Sequence, residues 1–309
     1  MAKTMIVEMK NTTTAKIAKK LQDLRETGGV VALGRVLSLL VEIDPQNLEE
    51  AIKTANAASR LHPSRIIVLA KNESGLANLD AEIRVGGDAG ASEVVVLRAS
   101  GEVLSNIESL VSGLLLPDAP IVAWWPADCP INPAETELGR IAGRRITNAA
   151  YESNSVSLLA LLAENYAQGD GDMAWTRITL WRSQVAALLD QHFGHPIKRI
   201  MVYGSSASPS THLLSSWLGL KLQANVEIVE KIGDAEVSGV AGIEIEFENS
   251  RLRIIRSGQV AVIEQTDLPT TSVLLPPRSD LDCLIEDLRF LGEDKEYAEV
   301  LRNGFSDAN

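Results

Sequence analysis

A short run of small polar residues between two apolar stretches is the first place where this sequence could carry chemistry. In "VYGSSASPSTHLL" (202–214) a predicted strand ends at Gly204, and Ser208 stands where the N-terminus of a helix is predicted. Backbone N–H groups at such a junction can bind an anion. The loop contains neither lysine nor arginine, so we favour helix capping over phosphate binding. The candidate anion-binding residues are Gly204, Ser205, Ser206 and Ser208.

Tryptophan and arginine form the second pattern with a chemical meaning. They cluster in "AWTRITLWRSQV", in "GRIAGRRIT" and at the end of the apolar run "IVAWW". These residue types are enriched among the energetically dominant residues of protein–protein interfaces, so the set predicts contacts with a protein partner. The alternative is that the indoles are core residues and the arginines cap a helix C-terminus. The candidate partner contacts are Trp125, Arg144, Arg145, Arg177, Trp181 and Arg182.

No set of residues with catalytic or metal-binding spacing is found. The four histidines are scattered, and no GxSxG, HExxH or GxxxxGK[ST] motif occurs. The glycines of "RVGGDAGASE" (84–93) connect two predicted strands and open no helix, which favours a hairpin loop over a pyrophosphate site. Cys129 and Cys283 lie far apart and outside any CxxC pair. We therefore predict no catalytic residue, no metal and no cofactor.

The charge of the chain restricts its partners. Its 309 residues include 29 Lys and Arg against 41 Asp and Glu, a formal charge of −12. This charge repels phosphate backbones and anionic lipid, so neither nucleic acid nor a membrane is an expected partner. The N-terminal residues lack the continuous apolar stretch of a signal peptide, and no run is long and uncharged enough to span a bilayer. A cytoplasmic location is expected.

The first part of the sequence alternates helical and strand patterns, which predicts a three-layer α/β domain over 1–170. Two neighbouring strands, 81–87 and 93–99, have no helix between them, so the sheet is expected to be mixed. The tract "GDGD" (169–172) favours neither helix nor strand and marks the predicted boundary. The other predicted elements are helices at 14–26, 47–61, 102–116, 133–144 and 155–168, and strands at 36–43, 65–70 and 119–125.

The second part, 171–309, predicts a smaller α+β domain. A helix (173–193), a strand (197–204) and a helix (209–222) come first. Between 224 and 265, polar and apolar residues alternate with short turns, which is typical of an antiparallel meander. Two helices, at 280–292 and 294–304, close the chain.

Five motifs together suggest a family: "PIVAWWP", "GRRITNAA", "WTRITLWR", "LLSSWLG" and "PPRSDLDCLIEDLRFLGEDKEYAEVL". In combination the sequence resembles the OpcA family, the glucose-6-phosphate dehydrogenase assembly proteins of actinobacteria and cyanobacteria, over nearly the whole chain, and is nearer the actinobacterial type. The resemblance implies a non-catalytic partner that promotes the assembly and activity of glucose-6-phosphate dehydrogenase, an allosteric activator at the entry to the oxidative pentose phosphate pathway. Control in cyanobacterial relatives is tied to thiol redox state, but Cys129 and Cys283 are not matched to those cysteines.

Two other classes of function stay open at this point. One is a sensor that binds a phosphorylated metabolite or nucleotide in the serine-rich loop. The other is an enzyme acting on sugar phosphates, which only the α/β pattern and that loop support. Fold class does not decide among these, because similar architectures host unrelated functions. The sequence also leaves the oligomeric state and the stoichiometry with a partner open.

Overall fold

The computed structural model describes residues 5–27, 36–85, 93–190 and 194–305. In chain order its elements are β1 (Met5–Met9), α1 (Thr14–Thr27), β2 (Leu37–Ile43), α2 (Leu48–Ala58), β3 (Ser64–Asn72), β4 (Asn78–Val85), β5 (Glu93–Ser100), α3 (Ile107–Ser112), β6 (Ile121–Trp124), α4 (Glu137–Ile141), β7 (Arg144–Thr147), α5 (Ser155–Glu164), β8 (Asp170–Asp172), α6 (Met173–Arg177), α7 (Thr179–Leu189), β9 (Ile197–Gly204), α8 (Pro209–Leu222), β10 (Val226–Val229), β11 (Lys231–Ile232), β12 (Ala235–Glu236), β13 (Val240–Phe247), β14 (Arg251–Ser257), β15 (Val260–Gln265), β16 (Thr271–Leu274), α9 (Asp280–Arg289) and α10 (Lys295–Gly304).

The chain forms two compact units, and each is built from separate stretches of sequence. Unit 1 comprises Met1–Asn148, Ala167–Gly171 and Asp280–Glu293, and unit 2 comprises Ala149–Tyr166, Asp172–Ser279 and Asp294–Asn309. The predicted division into 1–170 and 171–309 therefore differs at two places. The segment containing α5 belongs to unit 2, and the segment containing α9 belongs to unit 1.

Unit 1 is built on a mixed sheet with the strand order β1-β4-β5-β3-β2-β6-β7-β8. The strands β5, β3, β2, β6 and β7 run parallel, whereas β1 and β4 are antiparallel to their neighbours. From β2 the chain builds outward through β3 to β5, and then returns to the other side of β2 to form β6 and β7. The order thus reverses between β2 and β6, which is the topological switch point of a doubly wound sheet. The predicted α/β class with a mixed sheet is confirmed.

Helices cover both faces of this sheet. On one face α1 and α3 bury Ile17 and Leu110 in a single core with Trp125. On the other, α2 packs against β2, β3 and α9. Adjacent residues of a strand point to opposite faces, so Trp124 and Trp125 extend away from each other. Both indoles are buried, with 1% exposure each. This burial corrects the expectation that Trp125 contacts a protein partner.

Unit 2 combines a sheet of order β10-β9-β13-β14-β15-β16 with a helical layer, and β11 and β12 form a separate small hairpin. The strands β13, β14 and β15 make the antiparallel meander predicted within 224–265, and β16, which was not predicted, extends it. The strand β10, however, runs parallel to β9, because α8 carries the chain back between them. The core contains Trp181 of α7, Leu214 of α8 and Tyr297 of α10, packed on β9 and β13.

Local predictions are wrong where tertiary contacts override propensity. The helix expected at 102–116 is a 3-10 segment, Gly101–Asn106, followed by the short α3. The tract "GDGD", which has low strand propensity, nevertheless contains the strand β8. Its Asp170 carboxylate accepts the N–H of Ala167 at 2.8 Å. The helix expected at 133–144 ends at Ile141, and Arg144 begins β7. The helix expected at 173–193 is divided at Ile178 into α6 and α7, and 191–193 lie outside the described residues.

Candidate functional site

The serine-rich loop between β9 and α8 has the geometry that the sequence predicts. Gly204 ends β9, and Ser208 is the N-cap residue of α8 with proline at the first helical position. A Cβ at Gly204 would lie 2.6 Å from Thr211 Oγ1 and 2.8 Å from the carbonyl oxygen of Gly239. Only glycine therefore fits at the end of β9. The four candidate anion-binding residues are therefore placed at the N-terminus of a 14-residue helix.

An anion is already bound in this loop, and it comes from the chain itself. Glu230 Oε1 accepts the backbone N–H of Ser206 at 3.0 Å and its hydroxyl at 2.6 Å. These two bonds, the hydroxyl bond first, hold the pKa of the Glu230 carboxyl below its ordinary value. Ser205 is engaged separately, because its Oγ accepts the N–H of Ala207 at 3.2 Å. A phosphate group would have to displace the Glu230 carboxylate.

The second position where an anion could bind is the switch point of unit 1. Doubly wound sheets bind nucleotides in the crevice outside the carboxyl ends of the strands, with the phosphates at the N-terminus of the helix that follows. A cavity of about 480 Å³ lies there, lined from the ends of β2 and β3 and by Asp128 of the loop after β6. The turn after β2 reads "DPQN" rather than a glycine-rich sequence.

Carboxylates dominate this crevice. Asp44 accepts the N–H of Gln46 at 2.8 Å and so occupies the helix entrance itself. The lining contains four carboxylates, Glu42, Asp44, Glu73 and Asp128, against the single ammonium group of Lys71. That ammonium group already forms an ion pair of 2.5 Å with Glu42. The crevice therefore repels phosphate, although the strand order around it is that of a nucleotide-binding sheet.

The adjacent arginines at the start of β7 are internal residues of unit 1. Arg144 and Arg145 are 5% and 7% exposed. Arg144 donates to Asp287 of α9 at 2.8 Å, and Arg145 pairs with Asp170 of β8. Arg145 also donates to the carbonyl oxygen of Ala142 at 2.9 Å. These bonds stabilise the fold, so neither side chain is available at the surface for the partner contact that the sequence suggested.

The remaining Trp and Arg candidates lie in unit 2. Trp181 is 2% exposed and belongs to the core. Arg177 and Arg182 are half-buried. The guanidinium of Arg182 lies 3.6 Å from the ring centroid of Trp175, whose Nε1 donates to Asp294 at 2.7 Å. Arg182 thus packs on an indole within unit 2. Four of the six candidates, Trp125, Arg144, Arg145 and Trp181, are buried.

The sequence did not predict two features of the structure. One is Asp287, which shares the buried face of α9 with Cys283 and Leu284. A carboxylate on an otherwise apolar helix face indicates a buried cationic partner. The other is an open cavity of about 790 Å³ in unit 2, between α8, β10 and the C-terminal end of α10. We call it the α8 groove. Because its described lining residues include no Lys, Arg, Asp or Glu, no cluster of charge or motif in the sequence marked it.

The described residues contain no candidate metal site and no helix suited to cross a membrane. Within them, no group of three or more His, Cys, Asp or Glu residues is placed to bind a metal ion. None of their helices has the length and hydropathy needed to cross a bilayer. Cys129 and Cys283 are not joined in a disulfide, and Cys283 is buried in α9.

Fold and site together define a class: a doubly wound α/β unit with no glycine-rich turn at its switch point, combined with an α+β unit whose anion-binding loop is filled by its own carboxylate. The chain belongs to the OpcA family. Family models described as the N-terminal and the C-terminal domain of a glucose-6-phosphate dehydrogenase subunit match residues 55–164 and 168–301. The resemblance seen in the sequence motifs is thereby confirmed.

Other comparisons add little. No significant match is found among curated proteins. Two solved structures show distant similarity at 9% identity: UDP-N-acetylglucosamine 3-dehydrogenase GnnA from Acidithiobacillus ferrooxidans, with a TM-score of 0.38 over 87% of this chain and 95% of that one, and the WlbA dehydrogenase from Chromobacterium violaceum, with a TM-score of 0.34 over 89% and 88%. Similarity at this level carries no argument about function.

Proposed function

We propose that this protein is a non-catalytic assembly factor and allosteric activator of glucose-6-phosphate dehydrogenase, acting in the oxidative pentose phosphate pathway in the cytoplasm. The observation that carries the proposal is the pair of adjacent family matches, over 55–164 and 168–301, both described as domains of a glucose-6-phosphate dehydrogenase subunit. The two matches together span both units of the chain.

The charges at the two anion-binding positions support a role without catalysis. An enzyme acting on sugar phosphates or dinucleotides needs groups that attract phosphate. Here Asp44 occupies the helix entrance at the switch point, and Glu230 occupies the serine-rich loop. Both positions disfavour a phosphorylated ligand, which also argues against the metabolite sensor. The chain's formal charge of −12 adds a long-range repulsion of such ligands.

Activation by a binding partner has a simple thermodynamic form. A protein that binds the assembled, active dehydrogenase more tightly than the inactive form shifts the population toward the active one. The size of the shift is set by the ratio of the two affinities. Stimulation should therefore saturate as this protein is added, and the half-maximal concentration should depend on the dehydrogenase concentration.

The test combines kinetics with chromatography. The purified chain alone should turn over no glucose 6-phosphate with NADP or NAD, whereas the dehydrogenase from the same organism should gain activity when the chain is added. The two proteins should also elute as one peak in size-exclusion chromatography. If the mixture shows neither altered kinetics nor a shared peak, the proposal is wrong. Turnover by the chain alone would instead support the enzyme reading.

A further inference from the structure

The strand β10 has one free edge. It pairs with β9 in parallel register from Val226 to Val229, and it is the terminal strand of its sheet. Among the described residues, no other strand pairs with its outer side. In a parallel pair each strand directs alternate main-chain groups toward its partner, so the others on β10 point outward. An edge of this kind is a template for another extended segment.

The strand at the opposite edge of the same sheet is flanked by proline on both sides. There β16 lies between Pro269 and Pro276, and a second proline follows at 277. Proline has no N–H to donate, and it commonly blocks an edge against further pairing. The strand β10 is flanked instead by Asn225 and Glu230. Of the two edges of this sheet, only the β10 edge is free of flanking proline.

The α8 groove lies where the side chains of an added strand would go. Val226 and Ile228 are two residues apart on β10, and both line the groove. Successive side chains of a strand alternate between the faces of a sheet. A strand paired with the outer edge of β10 would therefore direct every second side chain to the same face, into the groove. Its volume of about 790 Å³ accommodates several side chains.

The lining of the α8 groove matches an uncharged segment of polypeptide. In a chain of charge −12, none of the described residues that line it is Lys, Arg, Asp or Glu. Amide and hydroxyl groups such as those of Gln223 and Ser216 can pair with both the N–H and the C=O groups of a main chain. Ser215 also lines it, and the hydroxyl of this buried residue has no hydrogen-bond partner within the described part of the chain.

We propose that glucose-6-phosphate dehydrogenase binds this protein by adding an extended segment with mainly neutral side chains to the free edge of β10. Alternate side chains of that segment lie in the α8 groove. The backbone hydrogen bonds supply affinity, and the groove selects the side chains. The inference rests on the proposed function, and it specifies the surface and the binding mode through which the partner acts.

Hydrogen exchange of the complex tests the inference directly. In the wild-type complex, amide exchange of the peptide that covers 226–229 should slow by about tenfold or more, because outward N–H groups become hydrogen-bonded. The meander strands β14 and β15 of the same sheet serve as the internal reference and should change little. An unchanged rate at 226–229 in a complex that does form would overturn the binding mode while leaving the proposed function intact.

A pair of matched variants gives the second readout. Asn225 is exposed and lines the α8 groove, whereas Asn249 is exposed in the turn between β13 and β14. Asn225→Trp fills the groove mouth and should raise the half-maximal concentration for activation about tenfold or more. Asn249→Trp should match wild type. Equal affinity of both variants, with unchanged melting temperatures, contradicts the inference. The exchange measurement needs no variant and decides the matter if Asn225→Trp fails to fold.

Two further outcomes would overturn the inference. If the free chain is a dimer that Asn225→Trp converts to a monomer, while activation is unaffected, a second copy occupies the edge and the inference is wrong. If no complex forms with wild-type protein in chromatography or kinetics, the proposed function itself fails, and the inference fails with it.

Discussion

Carboxylates of the chain itself occupy both positions where a helix entrance could bind phosphate. Asp44 accepts a backbone N–H at the start of the turn after β2, and Glu230 accepts the N–H and hydroxyl of Ser206. In each case the donors that would bind a ligand are satisfied internally. Two side chains, one in each unit, therefore make both positions unfavourable for phosphate.

The Glu230 carboxyl should titrate below an ordinary glutamate. A depressed folded pKa means that its stabilising bonds are present above the ordinary value and are lost as the pH falls through the folded value. Ser206→Ala removes the hydroxyl bond, so the pKa should rise toward that of a free glutamate, whereas Ser205→Ala should leave it unchanged. A carbon-13 NMR titration of the side-chain carboxyl measures both. An ordinary pKa in wild type would contradict the assigned bonds.

The Arg144–Asp287 pair should be a large contributor to stability. Both side chains are 5% exposed, and removing one partner leaves a buried charge uncompensated. Arg144→Ala should therefore lower the free energy of unfolding by about 3–5 kcal/mol, measured by urea denaturation. Arg199 forms an exposed pair with Glu227, so Arg199→Ala is the matched control and should hardly change the midpoint.

A second variant separates the ion pair from simple loss of packing. In Arg144→Met/Asp287→Leu both charges are absent. Methionine replaces the arginine stem, and leucine has the branched shape of aspartate. Such exchanges are often neutral or stabilising, so the double variant should recover most of the stability that Arg144→Ala loses. If Arg144→Ala is as stable as wild type, the arginine is not held as described, and a role at the surface would again deserve a test.

At the junction of β9 and α8, the backbone of Gly204 lies close to the backbone of Gly239. Gly204→Ala would place a methyl group 2.8 Å from the Gly239 carbonyl oxygen, which belongs to the main chain and cannot turn away. We expect a loss of about 1–3 kcal/mol, seen as a lower melting temperature. Gly143 has open space at its Cβ position, so Gly143→Ala should leave the melting temperature nearly unchanged. Equal melting temperatures for both variants would contradict the packing described at this junction.

Elements whose stability is local could be predicted well. The helix α1 follows from apolar residues at helical spacing, and the start of α8 follows from a serine and a proline at its first positions. The strands β5 and β9 follow from apolar runs bounded by turns. Elements that depend on distant partners could not. The strand β8 forms because residues distant in sequence donate to its oxygens: the Thr147 hydroxyl donates to the carbonyl oxygen of Gly171, and the N–H of Ala149 donates to the Asp172 carboxylate. The parallel pairing of β10 depends on the path of α8.

The candidate site shows the same limit. The start of α8 after Ser208 could be predicted, although the Ser208 side chain makes no capping hydrogen bond. The occupant of the loop, Glu230, lies 24 residues from Ser206 and has no local signal. Residue type suggested a partner surface for Arg144 and Trp181, yet type alone cannot distinguish a buried arginine from an exposed one. The apolar face around Asp287 was the better indicator, because a lone carboxylate there requires a buried partner.

At the scale of the whole molecule, the path of the chain ties together residues far apart in sequence. The chain leaves unit 1 after Asn148 and returns to it for Ala167–Gly171 and again for Asp280–Glu293. The last return delivers α9, which packs against α2 and carries Asp287 to Arg144. Unit 1 is therefore complete only when residues near the C-terminus have been added. The two family matches, which divide near 166, do not correspond to two independent folding units.

A fragment of residues 1–170 should fail to fold cooperatively for this reason. It retains Asp170, the partner of Arg145, but lacks α9, which leaves Arg144 without Asp287 and exposes the apolar surface of α2. The free-energy cost of a buried, uncompensated arginine together with that of a missing helix is expected to exceed the usual stability of a domain, about 5–15 kcal/mol.

The fragment of residues 1–170 should bind a hydrophobic dye and show poorly dispersed amide NMR signals. Joining residues 280–293 to it through a flexible linker should restore dispersion, and the same fusion carrying Asp287→Ala should restore it less. A sharp thermal transition in the unfused fragment, at the temperature of the full chain, would show that unit 1 folds without α9.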